Sequence, residues 1–118
     1  MSDPTQSPEA VIEAYTTGTR TRDVALLKQI FHQDAVMTGW LGPDLLNGGP
    51  EPFYGALEAN EVGADYASQT TQLAVMDRIA SAVTEEQNLL GMSFTNHFHL
   101  VQLGDGTWRI ISKLFRHH

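Results

Sequence analysis

The last quarter of the chain, Leu89 to His118, restricts the possible folds more than any other segment. It contains two long runs rich in Phe, Leu, Ile, Val, Thr and Trp, interrupted only by Gly104-Asp105-Gly106. These residue types fit the pleated, half-buried surface of a β-strand. Asp-Gly is a strong hairpin signal because the turn positions must tolerate a positive φ. The segment therefore predicts a long β-hairpin that turns at Asp105 and Gly106.

A two-residue turn would place Phe98 opposite Lys113, and the alternation of side chains then divides the hairpin into two faces. The first face is expected to carry Thr95, His97, His99, Val101, Trp108, Ile110 and Leu114. The second is expected to carry Phe94, Asn96, Phe98, Leu100, Ile111, Lys113, Phe115 and His117. Neither face is plainly polar, so we expect a second subunit on the first face and helices around a pocket on the second. A one-residue bulge would exchange some of these neighbours.

Upstream of the hairpin, capping signals and apolar periodicity predict three helices. The first begins at Ser7-Pro8-Glu9 and ends at Gly18, and the second follows the cap residue Asp23 and includes Phe31. The third runs from 53 to 60. Short strands are predicted at 35–40, 71–76 and 80–84, a loop at 41–52, and turns at 77–78 and 85–88. Helices followed by strands indicate an α+β fold with helices on one face of an antiparallel sheet.

Composition excludes several classes of function. The chain has 118 residues and a net charge of −7 with only seven Lys and Arg, which disfavours nucleic acids and anionic membranes as partners. It has no cysteine, and therefore no disulfide or thiolate metal site. The N-terminus lacks a signal pattern, and no run is apolar enough to span a bilayer. We expect a cytoplasmic protein with a polar tail at 1–7 and a single domain at 8–118.

Several segments resemble one family. Phe31-His32-Gln33-Asp34-Ala35-Val36 is similar to the Phe-His-Pro-Asp-Ala segment of the SnoaL-like, NTF2-like superfamily, particularly its lumazine-binding subgroup, with Gln33 in place of the usual Pro. The pattern Gly106-x-Trp108-x-Ile110-x-x-Lys113-x-Phe115 matches the same family, as do Tyr15, Thr95 and Leu100. The resemblance covers residues 8 to 117.

The resemblance implies a cystatin-like, NTF2-like cone, in which N-terminal helices pack in a curved antiparallel sheet with a pocket at the open end. It also implies a homodimer formed through the convex face of the sheet. Ketosteroid isomerases and polyketide cyclases resemble this fold and use a pocket Asp as base. The predicted first strand, Val36-Met37-Thr38-Gly39-Trp40, supplies no carboxylate, which weakens the case for that chemistry.

Seven residues are candidates for a ligand pocket: Tyr15, His32, Trp40, Tyr54, Asn96, Phe98 and Lys113. Tyr15 and Lys113 are also the candidate catalytic residues. Tyr15 could donate a hydrogen bond to a developing enolate oxygen, or be a core tyrosine bonded to the backbone. His32 could join the pocket or interact with the end of the second helix. Trp40 and Tyr54 could form a lid over the pocket or close the end of the core.

Lys113 is unusual because it lies among apolar residues in the middle of a predicted strand. Burial would depress its pKa, and a neutral amine can act as a base or a Schiff-base nucleophile. Alternatively, Lys113 could bind an anionic ligand, pair with Asp34 or another acid, or extend past the sheet edge to solvent.

His97 and His99 have a spacing found among metal ligands, but two imidazoles are too few for a catalytic zinc. We therefore expect no metal and no cofactor.

Three functions remain open. The first is binding of a small, largely apolar ligand, and the second is proton transfer next to a carbonyl by an isomerase or cyclase. The third is a dimerisation module without a ligand.

Overall fold

The computed structural model describes residues 3–118, which form three helices and one six-stranded sheet. The helices are α1 (Pro8–Thr21), α2 (Val24–Ile30) and α3 (Glu51–Ala59). The strands are β1 (Phe31–Leu41), β2 (Asp44–Gly48), β3 (Ala67–Met76), β4 (Ile79–Leu89), β5 (Met92–Gln102) and β6 (Trp108–His117). The predicted α+β cone, with N-terminal helices packed in a curved sheet, is confirmed.

The sheet has the order β2-β1-β6-β5-β4-β3, and it is mixed rather than antiparallel. The pair β1–β6 is parallel, and the other four pairs are antiparallel. The prediction of an antiparallel sheet was wrong at this pair. Its two strands come from distant parts of the chain, so no hairpin turn determines their relative direction.

Helices α1 and α2 begin where the capping residues indicate, whereas α3 begins at Glu51, two residues before the predicted start. The Ser7 side chain accepts a hydrogen bond from the Ala10 N–H at the start of α1, and Asp23 caps α2 in the same way through Leu26. Gly18 does not end α1, which continues to Thr21. It instead allows close contact between α1 and α2, since a Cβ at this position would crowd the side chain of Leu27.

Several predicted boundaries in the middle of the chain were wrong. The predicted loop at 41–52 contains β2, an exposed edge strand, and the first two residues of α3. Phe31 belongs to β1 rather than to α2. The predicted turn at 85–88 lies within β4, which continues to Leu89. The turn at 77–78 is where the sequence indicated, with Asp77 at a φ of 53°.

The terminal hairpin has the predicted register only in the half that lies farther from the turn. Phe98 pairs with Lys113, but between His99 and Leu100 the register shifts by one residue. The turn is also one residue longer than expected, because the Leu103 N–H donates to the Thr107 carbonyl around a three-residue loop. The exposed residue Ile111 has no partner in this register, as in a β-bulge.

The bulge exchanges the faces of three residues near the turn. Trp108 and Ile110 were expected on the convex face but are buried in the core, whereas Ile111 is exposed. Leu114 is 54% exposed on the convex face, as expected.

Residues 3–7, expected to be a polar tail, lie against β6. Thr5 is buried, and its carbonyl accepts a hydrogen bond from the Trp108 N–H at 2.8 Å.

The core lies between the helices and the concave face of the sheet. Its largest fully buried apolar side chains come from α1, α2, α3, β5 and β6: Tyr15, Leu27, Ile30, Leu57, Phe98, Leu100 and Ile110. Burying each of them contributes roughly 1.5–3 kcal/mol. Across residues 3–118, no helix is long and apolar enough to cross a membrane.

Candidate functional site

One end of the concave face contains a cavity of about 610 Å³. It is bounded by the end of β2, the first two turns of α3 and the turn between β4 and β5. The lining residues are Met37, Leu41, Leu46, Asn47, Gly48, Gly49, Glu51, Pro52, Phe53, Ala56, Leu57, Leu89, Leu90, Met92, Phe94, Lys113 and Phe115. Most of these are apolar, and the polar side chains Asn47 and Glu51 are exposed.

Lys113 supplies the buried charge of the cavity wall, being only 5% exposed. Its Nζ lies 4.4 Å from the ring centre of Phe53, 5.0 Å from that of Tyr15 and 5.5 Å from that of Phe115. The ring faces attract the ammonium through their quadrupoles and offset only part of the cost of removing it from water. The ammonium also donates a hydrogen bond of 2.8 Å to the hydroxyl of Tyr15.

Behind Tyr15 lies a fully buried carboxylate, that of Glu86, which is 1% exposed. Three side chains donate hydrogen bonds to it: Tyr15 at 3.0 Å, Tyr66 at 2.6 Å and Asn96 at 2.5 Å. Hydrogen bonds to an ionised acceptor are about twice as strong as those between neutral groups. Glu86 does not line the cavity itself. It is connected to the cavity through Tyr15 and Lys113.

The alternation of β4 explains why this carboxylate points inward. Ala80, Ala82, Thr84 and Glu86 are buried at every second position, on the face that meets the helices. Thr84 pairs with Asn96 on β5, so the amide of Asn96 reaches both the Thr84 hydroxyl and the Glu86 carboxylate. Tyr66 approaches from the segment just before β3.

The environment changes the proton affinities of the groups in this network. Burial lowers the pKa of Lys113 from 10.5 to about 8, and the nearby Glu86 carboxylate partly opposes this effect. Burial, followed by the negative charge of Glu86, raises the pKa of Tyr15 well above its usual value. The same two causes, in the same order, raise the pKa of Tyr66. Both phenols therefore remain protonated donors over the physiological range.

Of the seven predicted site residues, Lys113 lines the cavity, Tyr15 is hydrogen-bonded to it, and Asn96 lies further back, where it donates to Glu86. Phe98 packs against Tyr15 in an edge-to-face arrangement, with 4.9 Å between the two ring centres. Tyr54 is buried next to Phe53 on α3 but does not line the cavity.

The structure places Trp40 and His32 outside the cavity. Trp40 is 52% exposed, because the inward positions of β1 are Met37 and Gly39 and the side chain of Trp40 alternates to the opposite face. His32 accepts a hydrogen bond from the Asp34 N–H at the start of β1. Asp34 is exposed and does not pair with Lys113, whose nearby carboxylate is Glu86.

His97 and His99 are exposed on the convex face of β5, away from the cavity. In the part of the chain that the structure describes, no group of three or more His, Cys, Asp or Glu side chains could hold a metal ion.

The sequence reasoning missed Glu86 and Tyr66. It assigned Glu86 to a polar turn, because Glu85-Glu86-Gln87-Asn88 has the composition of one. A signal was nevertheless present: the period of two from Ala80 to Thr84, continued by two residues, places Glu86 on the buried face. The sequence offered no comparable signal for Tyr66, which lies in an irregular segment.

A family model described as "Putative lumazine-binding" matches residues 4–116, nearly the whole chain. No curated protein sequence matches the chain at a significant level.

Solved structures resemble the chain closely in fold. An NTF2-like protein of unknown function from Silicibacter pomeroyi DSS-3 is 25% identical over 93% of this chain and 92% of its own, with a TM-score of 0.83. One from Shewanella baltica OS155 is 20% identical over 92% and 88%, also with a TM-score of 0.83. A ketosteroid isomerase-like protein from Erwinia carotovora atroseptica SCRI1043 is 18% identical over 99% and 98%, with a TM-score of 0.70.

Removing the negative charge of Glu86 should destabilise the fold. In Glu86→Gln, the amide NH₂ would point at a group that donates a hydrogen bond to the carboxylate of the wild type. Lys113 would also lose its buried counter-charge. We expect the free energy of unfolding, measured by urea denaturation, to fall by about 3 kcal/mol. The matched control is Glu85→Gln, one residue away on the opposite face, where the side chain is 43% exposed. This control should change the free energy of unfolding by less than about 1 kcal/mol. Equal effects of the two variants would contradict the central role of Glu86.

Because of Lys113, the free energy of unfolding should increase as the pH rises from about 8 to 10. Its pKa is about 8 in the folded protein and near 10.5 when unperturbed, so the unfolded chain binds more protons in this interval and stability increases with pH. The free energy of unfolding of the wild type minus that of Lys113→Met should rise by roughly 2–3 kcal/mol between pH 7 and 10. Both proteins contain the same tyrosines, so the subtraction largely removes their titration. A difference that does not change with pH would contradict the burial of a titrating Lys113.

Proposed function

Because the chain belongs to the "Putative lumazine-binding" family, within the NTF2-like superfamily, we propose that it binds a small, largely apolar molecule in the cavity beside α3. In this proposal Lys113 donates a hydrogen bond to an acceptor atom on the ligand. The family predicted from the Phe31–Val36 segment is confirmed.

The observation that carries the proposal is the combination of an apolar cavity with a single buried cation on its wall. A volume of about 610 Å³ lies within the range of known small-molecule sites, roughly 300–1,000 Å³. Such sites are typically lined by apolar and aromatic groups, with a few polar groups that orient the ligand. Phe53, Phe94 and Phe115 supply aromatic surface here, and Lys113 supplies the orienting donor.

The family description makes lumazine the first compound to test. Lumazine is a flat, bicyclic ring that carries carbonyl oxygens, so one oxygen could accept a hydrogen bond from Lys113 while the ring packs against Phe53. The cavity supplies few other buried polar groups for its remaining nitrogen and oxygen atoms. This favours a less polar ligand over lumazine itself.

Our second candidate is an enzyme of the isomerase or cyclase type that moves a proton next to a carbonyl. It is supported by the pairing of Lys113 with Tyr15 at the cavity wall, which would place a base and a hydrogen-bond donor together. Glu86 does not line the cavity, so it cannot take a proton from a ligand directly. The base would therefore be Lys113.

The third function, a dimerisation module without a ligand, would leave the cavity without a role.

We also propose that the protein forms a homodimer through the convex face of the sheet. Exposed apolar side chains lie together on adjacent strands β2, β1 and β6: Val36, Trp40, Leu45, Ile111 and Leu114. Contiguous apolar surface of this kind typically marks an interface, since water hydrates it unfavourably. The cytoplasmic location expected from the sequence stays a prediction.

Blocking the cavity should weaken the binding of a largely apolar fluorescent probe. The fluorescence of 1-anilinonaphthalene-8-sulfonate should increase on binding to the wild type, and Ala56→Trp, which fills the cavity from α3, should weaken its affinity at least about tenfold, or 1.4 kcal/mol. The matched control is Ala59→Trp, because Ala59 is exposed near the end of the same helix and does not line the cavity. The control should bind the probe like the wild type.

Competition then tests the ligand class. Lumazine and less polar carbonyl compounds are added to the probe complex, and a competitor that occupies the cavity should lower the probe fluorescence of the wild type and of Ala59→Trp. Equal probe binding by all three proteins would contradict the proposed site.

A charge on the convex face should prevent dimerisation. Light scattering at micromolar concentration should give a dimer for the wild type and a monomer for Leu114→Arg, because an arginine buried without a partner at an interface costs several kcal/mol. Val75→Arg is the control, since Val75 is similarly exposed but lies on the edge strand β3. A monomeric wild type would overturn the proposed dimer.

A further inference from the structure

We propose that Lys113 is a covalent site that forms an imine with an apolar aldehyde or ketone held in the cavity. The inference rests on the proposed function and deepens it, because it specifies the chemical class of the ligand and the atom that captures it. It also explains why a lysine is placed in an apolar wall, where a hydroxyl or amide would suffice to orient a carbonyl group.

The surroundings of Lys113 favour a nucleophilic amine. Its Nζ is buried among the rings of Phe53, Tyr15 and Phe115, at distances of 4.4–5.5 Å, on the wall of the cavity. A lysine desolvated in an apolar pocket loses its proton more readily, and the neutral amine is the nucleophile that attacks carbonyl carbon. The lowered pKa, about 8, agrees with this geometry.

The hydrogen-bond chain behind Lys113 provides a place for the proton. Nζ donates to the Tyr15 hydroxyl at 2.8 Å, and that hydroxyl donates to Glu86 at 3.0 Å. A proton can therefore pass from the ammonium to Tyr15 while the proton of Tyr15 passes to Glu86. The charged pair becomes a neutral amine and a neutral carboxylic acid without exchange with solvent. Because both states have zero net charge, the transfer leaves no buried group as an uncompensated ion.

The reaction then balances without any further reactant. The Nζ lone pair attacks the carbonyl carbon, a proton moves from nitrogen to oxygen, and a carbinolamine forms. Glu86 returns its proton through Tyr15 to the carbinolamine hydroxyl, which leaves as water while the C=N bond forms. The product is a protonated imine on Lys113 opposite the Glu86 carboxylate. The aldehyde and the lysine ammonium are thus converted into the iminium and one water, with no change in total charge.

The reactivities of two lysines can be compared within one sample, because Lys28 and Lys113 are the two lysines of the sequence. Lys28 is exposed on α2, with its Nζ 5.7 Å from the ring centre of Tyr54, and serves as an internal reference. The protein is incubated at pH 7.5 with cinnamaldehyde, an apolar aldehyde, and with sodium cyanoborohydride, which reduces imines to stable amines. Peptide mapping by mass spectrometry then locates the reduced adduct on Lys113, on Lys28 or on the N-terminal amine.

We expect labelling of Lys113 to be at least about tenfold faster than labelling of Lys28 in the same wild-type sample. Lys28→Arg should leave the rate at Lys113 unchanged, and Lys113→Arg should abolish the fast reaction. The wild-type rate should rise with pH, be half-maximal near pH 8, the pKa of Lys113, and level off above it. Tyr15→Phe tests the relay: it should slow adduct formation while cinnamyl alcohol, which cannot form an imine, still displaces the fluorescent probe.

The outcomes separate this inference from the proposed function. Equal labelling of Lys28 and Lys113 in the wild type would overturn the covalent site, and this comparison does not depend on the folding of any variant. If cinnamyl alcohol displaces the probe but no fast adduct forms on Lys113, the cavity binds ligands without covalent capture. If neither the probe nor the alcohol binds to the cavity, the proposed function itself fails.

Discussion

The buried carboxylate of Glu86 is the constraint on which the rest of the structure depends. Removing an ionised carboxylate from water costs several kcal/mol, and hydrogen bonds must compensate for that cost. The compensating donors come from distant parts of the chain: Tyr15 on α1, Tyr66 before β3 and Asn96 on β5. Helix α1 is therefore attached to the concave face by a polar contact with a defined geometry, as well as by apolar packing.

This network also determines the chemistry of the cavity. Lys113 belongs to both, since its Nζ contacts Tyr15 on one side and its side chain lines the cavity on the other. Glu86 supplies the charge that makes a buried lysine tolerable, and the apolar wall lowers the affinity of that lysine for its proton. The same two features that stabilise the core thus prepare an amine for interaction with a ligand.

The accuracy of the sequence reasoning followed the range of the interactions involved. Helix caps at Ser7 and Asp23 and the pairing of Phe98 with Lys113 depend on local signals, and the structure matches them. The parallel pair β1–β6 depends on contacts between distant segments, and it was missed. The strand β2 is an exception: it forms a tight hairpin with the preceding strand β1, and it was missed because its Gly- and Pro-rich segment has the composition of a loop. The bulge at Ile111 was foreseen as a possibility, but its position follows from packing: it allows Trp108 and Ile110 to face the core.

By itself, the sequence determined the starts of α1 and α2, the terminal hairpin and the family, because capping, alternation and motifs act over a few residues. It also identified Tyr15, Asn96 and Lys113 as candidate site residues. Only the tertiary structure decided that Tyr15 and Asn96 donate to Glu86 and that Lys113 is connected to it through Tyr15. It also decided that Trp40 lies on the opposite face, and where the cavity opens. A carboxylate in a polar run resembles a surface turn until its partners are known. Those partners lie between 10 and 71 residues away along the chain, and folding brings them together.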